Sequence, residues 1–91
     1  MLEEAKKILR VSNDIFDSEI QTLLDAAVLD LNMAGILESK TSDPDALVTR
    51  ALLTYVKANF GWDNAESERL INAYVGIKRH LLLSRDYTEE A

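Results

Sequence analysis

An unbroken apolar stripe between residues 20 and 34 restricts what this chain can fold into more than any other feature. Its members recur every three or four residues, which is the spacing of one face of an α-helix; they are Ile20, Leu23, Leu24, Ala27, Val28, Leu31 and Ala34. Asp17 precedes the stripe as a predicted N-cap, and Gly35 follows it as a predicted C-terminal stop. The pattern predicts a helix over residues 18–34 whose apolar face packs against other elements.

Three further helices are predicted, over residues 2–10, 44–60 and 65–83. The second of these begins at Asp43-Pro44. Proline is favoured at the first helical position because an N–H there would have no partner within the helix. Gly61 is predicted to close that helix in a left-handed conformation. Asn64 is predicted to cap the helix that follows, so that the two helices meet at a tight corner.

The predicted fold class is all-α, a small four-helix orthogonal or bundle-like single domain over residues 1–91. Residues 36–43 are predicted to form a loop, and residues 84–91 a flexible tail. Gly76 falls inside the last predicted helix, where glycine costs about 1 kcal/mol relative to alanine. A close helix crossing is the predicted reason for that glycine.

Composition and length argue against several classes of protein. The chain has no cysteine, which excludes a disulfide framework, a zinc–thiolate site and a cysteine nucleophile. Its longest apolar run, residues 26–29, is far shorter than the roughly 20 residues that span a bilayer. We therefore expect a soluble, untargeted intracellular protein with no membrane partner. A formal charge of −6 argues against independent binding to nucleic-acid phosphates.

No catalytic, cofactor-binding or metal-binding pattern emerges from the sequence, and we predict a non-enzymatic protein without cofactors. His80 is the one histidine, so a two-histidine metal site within one chain is impossible. Its place in the last turn of a predicted helix suits a favourable interaction with the helix dipole. Asp43 and Asp45 lack the spacing and the glycine of a calcium loop, and helix capping accounts for both.

Nine residues are predicted to contact neighbouring subunits or partner proteins. They comprise apolar side chains beside the core faces of the middle helices, two aromatic residues at the Gly61 corner, and the basic and aromatic residues near the C-terminus. The set is Leu29, Met33, Leu53, Phe60, Trp62, Arg79, His80, Arg85 and Tyr87. Core packing of Trp62, and a solvated helix end for the basic cluster that also includes Lys78, remain open as alternatives.

Three stretches carry a family resemblance. They are Asp17-x-Glu-Ile20…Leu-Leu24-Asp-Ala-Ala27…Asp30-Leu…Ala34-Gly35-Ile36, then Ala51-x-x-x-Tyr55-x-Lys57-Ala-Asn-Phe-Gly-Trp62, and finally Arg69-x-x-x-x-Tyr74-x-x-x-Lys78-x-x-Leu81…Leu83-Ser84…Tyr87. In this order they resemble the head–tail connector family of long-tailed bacteriophages and prophages. Members of this family are often described as DNA-packaging or head-completion (adaptor) proteins. The resemblance covers the chain from about residue 14 to residue 87.

The resemblance implies a structural subunit that assembles into a ring of about a dozen copies below the portal protein. Such a ring extends the DNA channel without sequence-specific binding and docks the next tail-side protein. Assembly in the host bacterial cytoplasm and a place in the virion neck are also implied. Family members often have a longer loop between the second and third helices than residues 36–43 provide. We expect acidic side chains along the channel, which lets DNA slide rather than adhere. We also expect a monomer in dilute solution, because assembly would wait for the portal as a template.

Two other classes remain open on the sequence alone. One is a generic helical protein-interaction module or regulator, and the other is a small DNA-binding or DNA-packaging accessory protein. A helix–turn–helix reader needs a recognition helix rich in Arg, Asn and Gln. The last predicted helix instead begins with Glu66, Glu68 and Arg69, of which the two acids repel phosphates. A basic surface stripe would favour the DNA-binding class.

Overall fold

The structure is a computed structural model that describes residues 1–61 and 64–90. It confirms the all-α prediction, because the described residues contain six helices and no strand. Four of the helices have eight or more residues. In chain order the helices are α1 (Leu2–Leu9), α2 (Asp17–Ala34), α3 (Glu38–Ser42), α4 (Ala46–Asn59), α5 (Ser67–Leu82) and α6 (Arg85–Thr88).

The central element is α4, against which α1, α2 and α5 all pack. Its buried positions Val48, Ala51, Leu52 and Val56 follow helical spacing. Opposite them lie the buried side chains of the neighbouring helices, which are Ala5, Ile20, Leu24, Ala27, Leu31, Leu70, Tyr74 and Leu81. Because α4 makes the most extensive contacts with α1, α2 and α5, it lies at the centre of the hydrophobic core.

The end of α1 depends on a residue in an unusual conformation. Arg10 has φ +59° and ψ +40°, which is left-handed backbone that non-glycine residues adopt rarely. Its N–H donates to the carbonyl of Lys7 at 3.2 Å, and the N–H of Val11 donates to that of Lys6 at 3.0 Å. This pair of hydrogen bonds is a Schellman motif, and it ends the helix one residue earlier than predicted.

Replacing Arg10 with glycine is expected to stabilise the fold. Glycine adopts this left-handed conformation without the steric penalty of a Cβ, so the free energy of unfolding should rise by about 0.5–1 kcal/mol. Urea unfolding followed by circular dichroism measures the change. Arg10→Ala is the matched control, since it removes the same side chain but keeps the Cβ. An equal gain from both variants would contradict the conformational explanation.

A buried lysine joins α1 to the start of α2. Lys6 is 6% exposed, and its Nζ lies 2.9 Å from Asp17 Oδ1 and 3.0 Å from Asp14 Oδ1. These carboxylates, Asp17 first, hold the pKa of Lys6 well above its usual value because they favour the charged ammonium. The prediction that Asp17 is the N-cap of α2 was wrong: the helix begins at Asp17 itself, whose carboxylate faces Lys6.

The corner between α4 and α5 is built differently from the prediction. Gly61 does have positive φ, at +87°, but α4 already ends at Asn59, and Phe60 continues in extended backbone. Asn64 is not the residue that immediately precedes α5. Its side-chain amide donates to the carbonyl of Lys57 at 2.7 Å, and its Oδ1 accepts from the N–H of Glu66 at 3.1 Å. The Asn64 side chain thus supplies a hydrogen bond to one C-terminal carbonyl of α4 and to the N–H of the residue that precedes α5.

Changing Asn64 to aspartate tests this double role. The carboxylate can still accept from Glu66 but can no longer donate to the C-terminal carbonyls of α4. We expect the free energy of unfolding to fall by about 1 kcal/mol, the typical value of one lost hydrogen bond. Asn59→Asp is the matched control on α4, where the lost side-chain bond to the Tyr55 carbonyl is exposed to water. A larger loss in that control would contradict the proposed role of Asn64.

The segments on either side of α4 also differ from expectation. Residues 36–43 contain α3 rather than only a loop, and residues 84–90 contain α6. The start of α4 is at Ala46, with Asp45 as its N-cap accepting from the N–H of Val48 at 3.0 Å, so Asp43-Pro44 precedes the helix. The explanation of Gly76 by a close crossing within the chain was wrong, because no other described element comes within 4 Å of a Cβ placed there.

Candidate subunit-contact surfaces

A polar cluster on one side of the molecule ties α2 to α5. The Tyr74 hydroxyl donates to Asp30 Oδ2 at 2.5 Å, and Lys78 Nζ lies 3.0 Å from the same oxygen. Lys78 Nζ is also 5.2 Å from the centre of the Tyr74 ring, which packs edge-to-face against Tyr55 at 5.1 Å. The Lys78 side chain therefore contacts Asp30 and Tyr74, whereas the sequence pattern grouped it with the basic residues at the end of α5.

The pKa values in this cluster are shifted in opposite directions. The Tyr74 hydrogen bond, followed by the Lys78 charge, holds the pKa of Asp30 below its usual value, even though partial burial opposes this. Burial, and then the Asp30 carboxylate, raise the pKa of Tyr74 far above its usual value. All three residues belong to the quoted family pattern, and the four-residue spacing of Tyr74 and Lys78 was the available signal that they share a face.

Two shallow, mainly apolar depressions of about 370 and 490 Å³ lie on the surface of the α4–α5 pair and share Arg50 as a lining residue. Together we call them the α4–α5 groove. Its apolar lining includes Ile8, Leu47, Leu53, Leu70, Ala73, Gly76 and Ile77, and its basic or imidazole side chains are Arg50, Lys57 and His80. Leu53 and His80 of the predicted contact set therefore lie in this groove.

Charge is distributed unevenly between this groove and α2. Among the described residues, no aspartate or glutamate lines the α4–α5 groove. Helix α4 has two bases and no acid, whereas α2 has four acids and no base. This leaves one apolar surface that carries two bases and no described acid. On α2, Glu19 and Asp25 are exposed, whereas Asp17 and Asp30 pair with Lys6 and Lys78.

The outward side of α2 carries the other two predicted aliphatic contact residues. Leu29 is 59% exposed and Met33 is 79% exposed. Together with exposed Asp25, which accepts from the Gln21 amide at 3.0 Å, they are spaced four residues apart and form a single row. We call these three residues the α2 row. Exposed aliphatic side chains in a row are typical of a protein contact surface.

The remaining members of the predicted set do not gather in one place. Phe60 is half-buried and packs edge-to-face against Phe16 at 5.5 Å. Arg79 and Arg85 are exposed, and Arg85 Nε lies 3.9 Å from Glu89. Trp62 lies outside the described residues, so the structure does not place this predicted contact.

Tyr87, the last member of the set, is half-buried and holds the C-terminal segment against the start of α4. Its hydroxyl donates to Asp45 Oδ2 at 2.5 Å, and its carbonyl accepts from the N–H of Leu37 at 2.9 Å. The hydrogen bond lowers the pKa of Asp45 and raises that of Tyr87. Tyr87 thus has a role within the fold that the sequence pattern did not predict.

A further depression lies on the C-terminal side of the molecule. This third depression of about 570 Å³ lies between α3 and the C-terminal segment, and it is open and lined by charges of both signs, including Lys40, Arg85, Asp86 and Glu89. Within residues 1–61 and 64–90, no group of three or more histidines and acids is placed to hold a metal ion. None of the helices described is long and apolar enough to cross a membrane.

These features define a small all-α chain with an apolar depression on either side of Arg50 and a separate row of exposed side chains on α2. A family model described as phage connector protein matches residues 1–88. Since the match covers nearly the whole chain, this chain belongs to the phage connector protein family, and the resemblance in the sequence is confirmed. The comparisons with curated proteins and with solved structures gave no match.

Proposed function

We propose that this chain is a non-enzymatic structural subunit of the head–tail connector of a long-tailed phage or prophage. In this role, about a dozen copies form a ring below the portal protein and extend the DNA channel. The observation that carries the proposal is the phage connector match over residues 1–88. Assembly takes place in the host bacterial cytoplasm, and the ring occupies the virion neck.

The surfaces of the subunit support a ring. A closed ring needs two different surfaces per copy, one meeting the other around the circle. The α2 row and the α4–α5 groove are two such surfaces on one chain, and they differ in both shape and charge. The exposed side chains of Arg79, Leu83 and Arg85 near the C-terminus remain available to the tail-side protein or the portal.

Co-sedimentation with the portal protein of the same phage or prophage tests the proposal. The purified chain should migrate as a monomer when dilute and should move to the heavy fraction only when portal rings are present. The bound amount should approach one copy per portal subunit. A chain that stays at the top of the gradient at micromolar concentrations of both proteins would contradict the connector role.

A subunit that lines a DNA channel must also bind DNA weakly. An excess of acids over bases lets DNA slide past without adhering, because affinity for the phosphate backbone comes mainly from Lys and Arg. We expect no measurable binding of the isolated chain to double-stranded DNA at about 50 mM salt. Fluorescence anisotropy with a labelled duplex measures this. Micromolar binding that weakens steeply with added salt would instead favour a DNA-binding accessory protein.

A further inference from the structure

We propose that the α2 row of one copy docks into the α4–α5 groove of the next copy, in a head-to-tail contact. This inference rests on the proposed ring, and it names the two surfaces that close it. The row consists of Asp25, Leu29 and Met33, and the groove is centred on Arg50, the residue that its two depressions share. The occupant of the groove is therefore a second copy of this chain.

Charge complementarity selects this pairing over the alternatives. The row contributes one carboxylate, Asp25, from a helix without bases, and it meets a groove that has Arg50 and Lys57 and, among the described residues, no acid. Two other acids of α2, Asp17 and Asp30, already pair with Lys6 and Lys78 within the chain. A two-fold contact of the α2 row with itself would leave Asp25 without a base, and a two-fold contact of the groove with itself would leave Arg50 and Lys57 without an acid. Only the head-to-tail arrangement places opposite charges together, and it is also the arrangement that generates a ring.

The size and shape of the two surfaces agree with this contact. Asp25 and Met33 are eight residues apart on α2, which corresponds to about 12 Å along the helix axis. Arg50 and Lys57 are seven residues apart on α4, or about 10 Å. Leu29 lies midway along the row, and Leu53 lies between the two bases of the groove. Aliphatic side chains can therefore meet at the centre while Asp25 pairs with Arg50 or Lys57 at one end.

Gly76 provides an independent indication that the groove receives another molecule. A glycine within a helix is unfavourable, and here no described atom beyond the adjoining residues and backbone of α5 comes within 4 Å of the Cβ that any other residue would add. Its φ is ordinary, so the backbone does not require glycine either. Gly76 and the neighbouring Ala73 keep the floor of the groove low. That low floor suits a helix arriving from outside.

Chemical cross-linking between two single-cysteine variants tests the contact. Because the natural chain has no cysteine, each cross-link reports only the introduced pair. Leu29→Cys, labelled with ¹⁵N, is mixed with unlabelled Arg50→Cys, and a short flexible bismaleimide is added to the free chain at millimolar concentration and to the portal-bound chain. Ser12→Cys, exposed in the α1–α2 connector and outside both surfaces, replaces Arg50→Cys in the control.

We expect the Leu29–Arg50 heterodimer to form about five times more than the Leu29–Ser12 control, because a specific contact raises the local concentration of the two thiols. No excess in either state, or a predominance of homodimers of one variant, would overturn the proposal. Co-sedimentation with portal but no excess would refute this contact while leaving the connector role standing. Failure to bind portal would count against the role, whatever the cross-links show.

Gly76→Leu separates assembly from folding. Leucine favours helix more than glycine does, so the variant should unfold at the same or a higher urea concentration than the natural chain. Its side chain fills the floor of the groove, so the Leu29–Arg50 cross-link should fall to the level of the control. Asn72→Leu, exposed on α5 outside the groove lining, is the matched variant and should leave cross-linking unchanged. Undiminished cross-linking in Gly76→Leu would overturn the proposal.

Discussion

Leu52→Ala is expected to lower the free energy of unfolding by about 3 kcal/mol, because it opens a cavity beside the central helix. Leu52 is 2% exposed on α4, where it belongs to the cluster that joins α1, α2 and α4. Truncation removes buried methyl groups that the surrounding side chains cannot fully replace, and such changes cost about 2–5 kcal/mol. Urea unfolding at neutral pH, followed by circular dichroism, measures the loss.

The same substitution at Leu29 is the control for this prediction. Leu29 is 59% exposed on α2, so Leu29→Ala should change the free energy of unfolding by less than about 0.5 kcal/mol. In the proposed ring it should nevertheless weaken assembly on the portal, because Leu29 lies midway along the α2 row. Equal destabilisation by the two variants would contradict the placement of α4 at the centre of the core.

Asp30→Asn is expected to cost about 2 kcal/mol at neutral pH. The substitution preserves the shape of the side chain but removes the charge that faces the Tyr74 hydroxyl and the Lys78 ammonium. Hydrogen bonds to charged groups contribute about 1.5–3 kcal/mol, and since the Asp30 carboxylate is 41% exposed, water compensates for part of the loss. Tyr74→Phe should show a smaller loss, because the ion pair to Lys78 remains.

The pH dependence of this effect follows from the direction of the pKa shift. The folded structure lowers the pKa of Asp30 below its value in the unfolded chain, which is about 3.9. The stabilisation is therefore fully present above about pH 5 and is lost as the pH falls through the folded pKa. Unfolding free energies of the natural chain and Asp30→Asn, measured at several pH values, should converge as the pH falls below the unfolded-chain pKa of about 3.9. A constant difference over that range would contradict the role of the ionised carboxylate.

The elements that the sequence predicted best are those that local periodicity defines. Ile20, Leu24, Ala27 and Leu31 were placed on one helical face, and the structure buries all four. Helix ends were harder to predict, because the partners of the capping side chains lie elsewhere in the fold. Aspartate is favoured at helix N-caps, but Asp17 forms an ion pair with Lys6 of the preceding helix. Asn64 forms hydrogen bonds with the end of α4 as well as with the segment before α5.

The candidate contact surfaces were only partly predictable for a similar reason. Exposed apolar residues such as Met33 can be recognised by their departure from the core stripe. Which of them share a surface depends on how the helices cross, and the sequence grouped Leu53 with Leu29 and Met33 although Leu53 lies in the α4–α5 groove. The link from Asp30 to Tyr74 and Lys78 spans more than 40 residues, and no local pattern encodes a contact of that kind.

Electron cryomicroscopy of the chain bound to the portal of its own phage or prophage tests the central claim most directly. The claim predicts a closed ring below the portal, with the α2 row of each copy in the α4–α5 groove of the next and with Leu29 facing the floor beside Gly76. Copies bound singly without touching one another, or paired about two-fold axes, would contradict it.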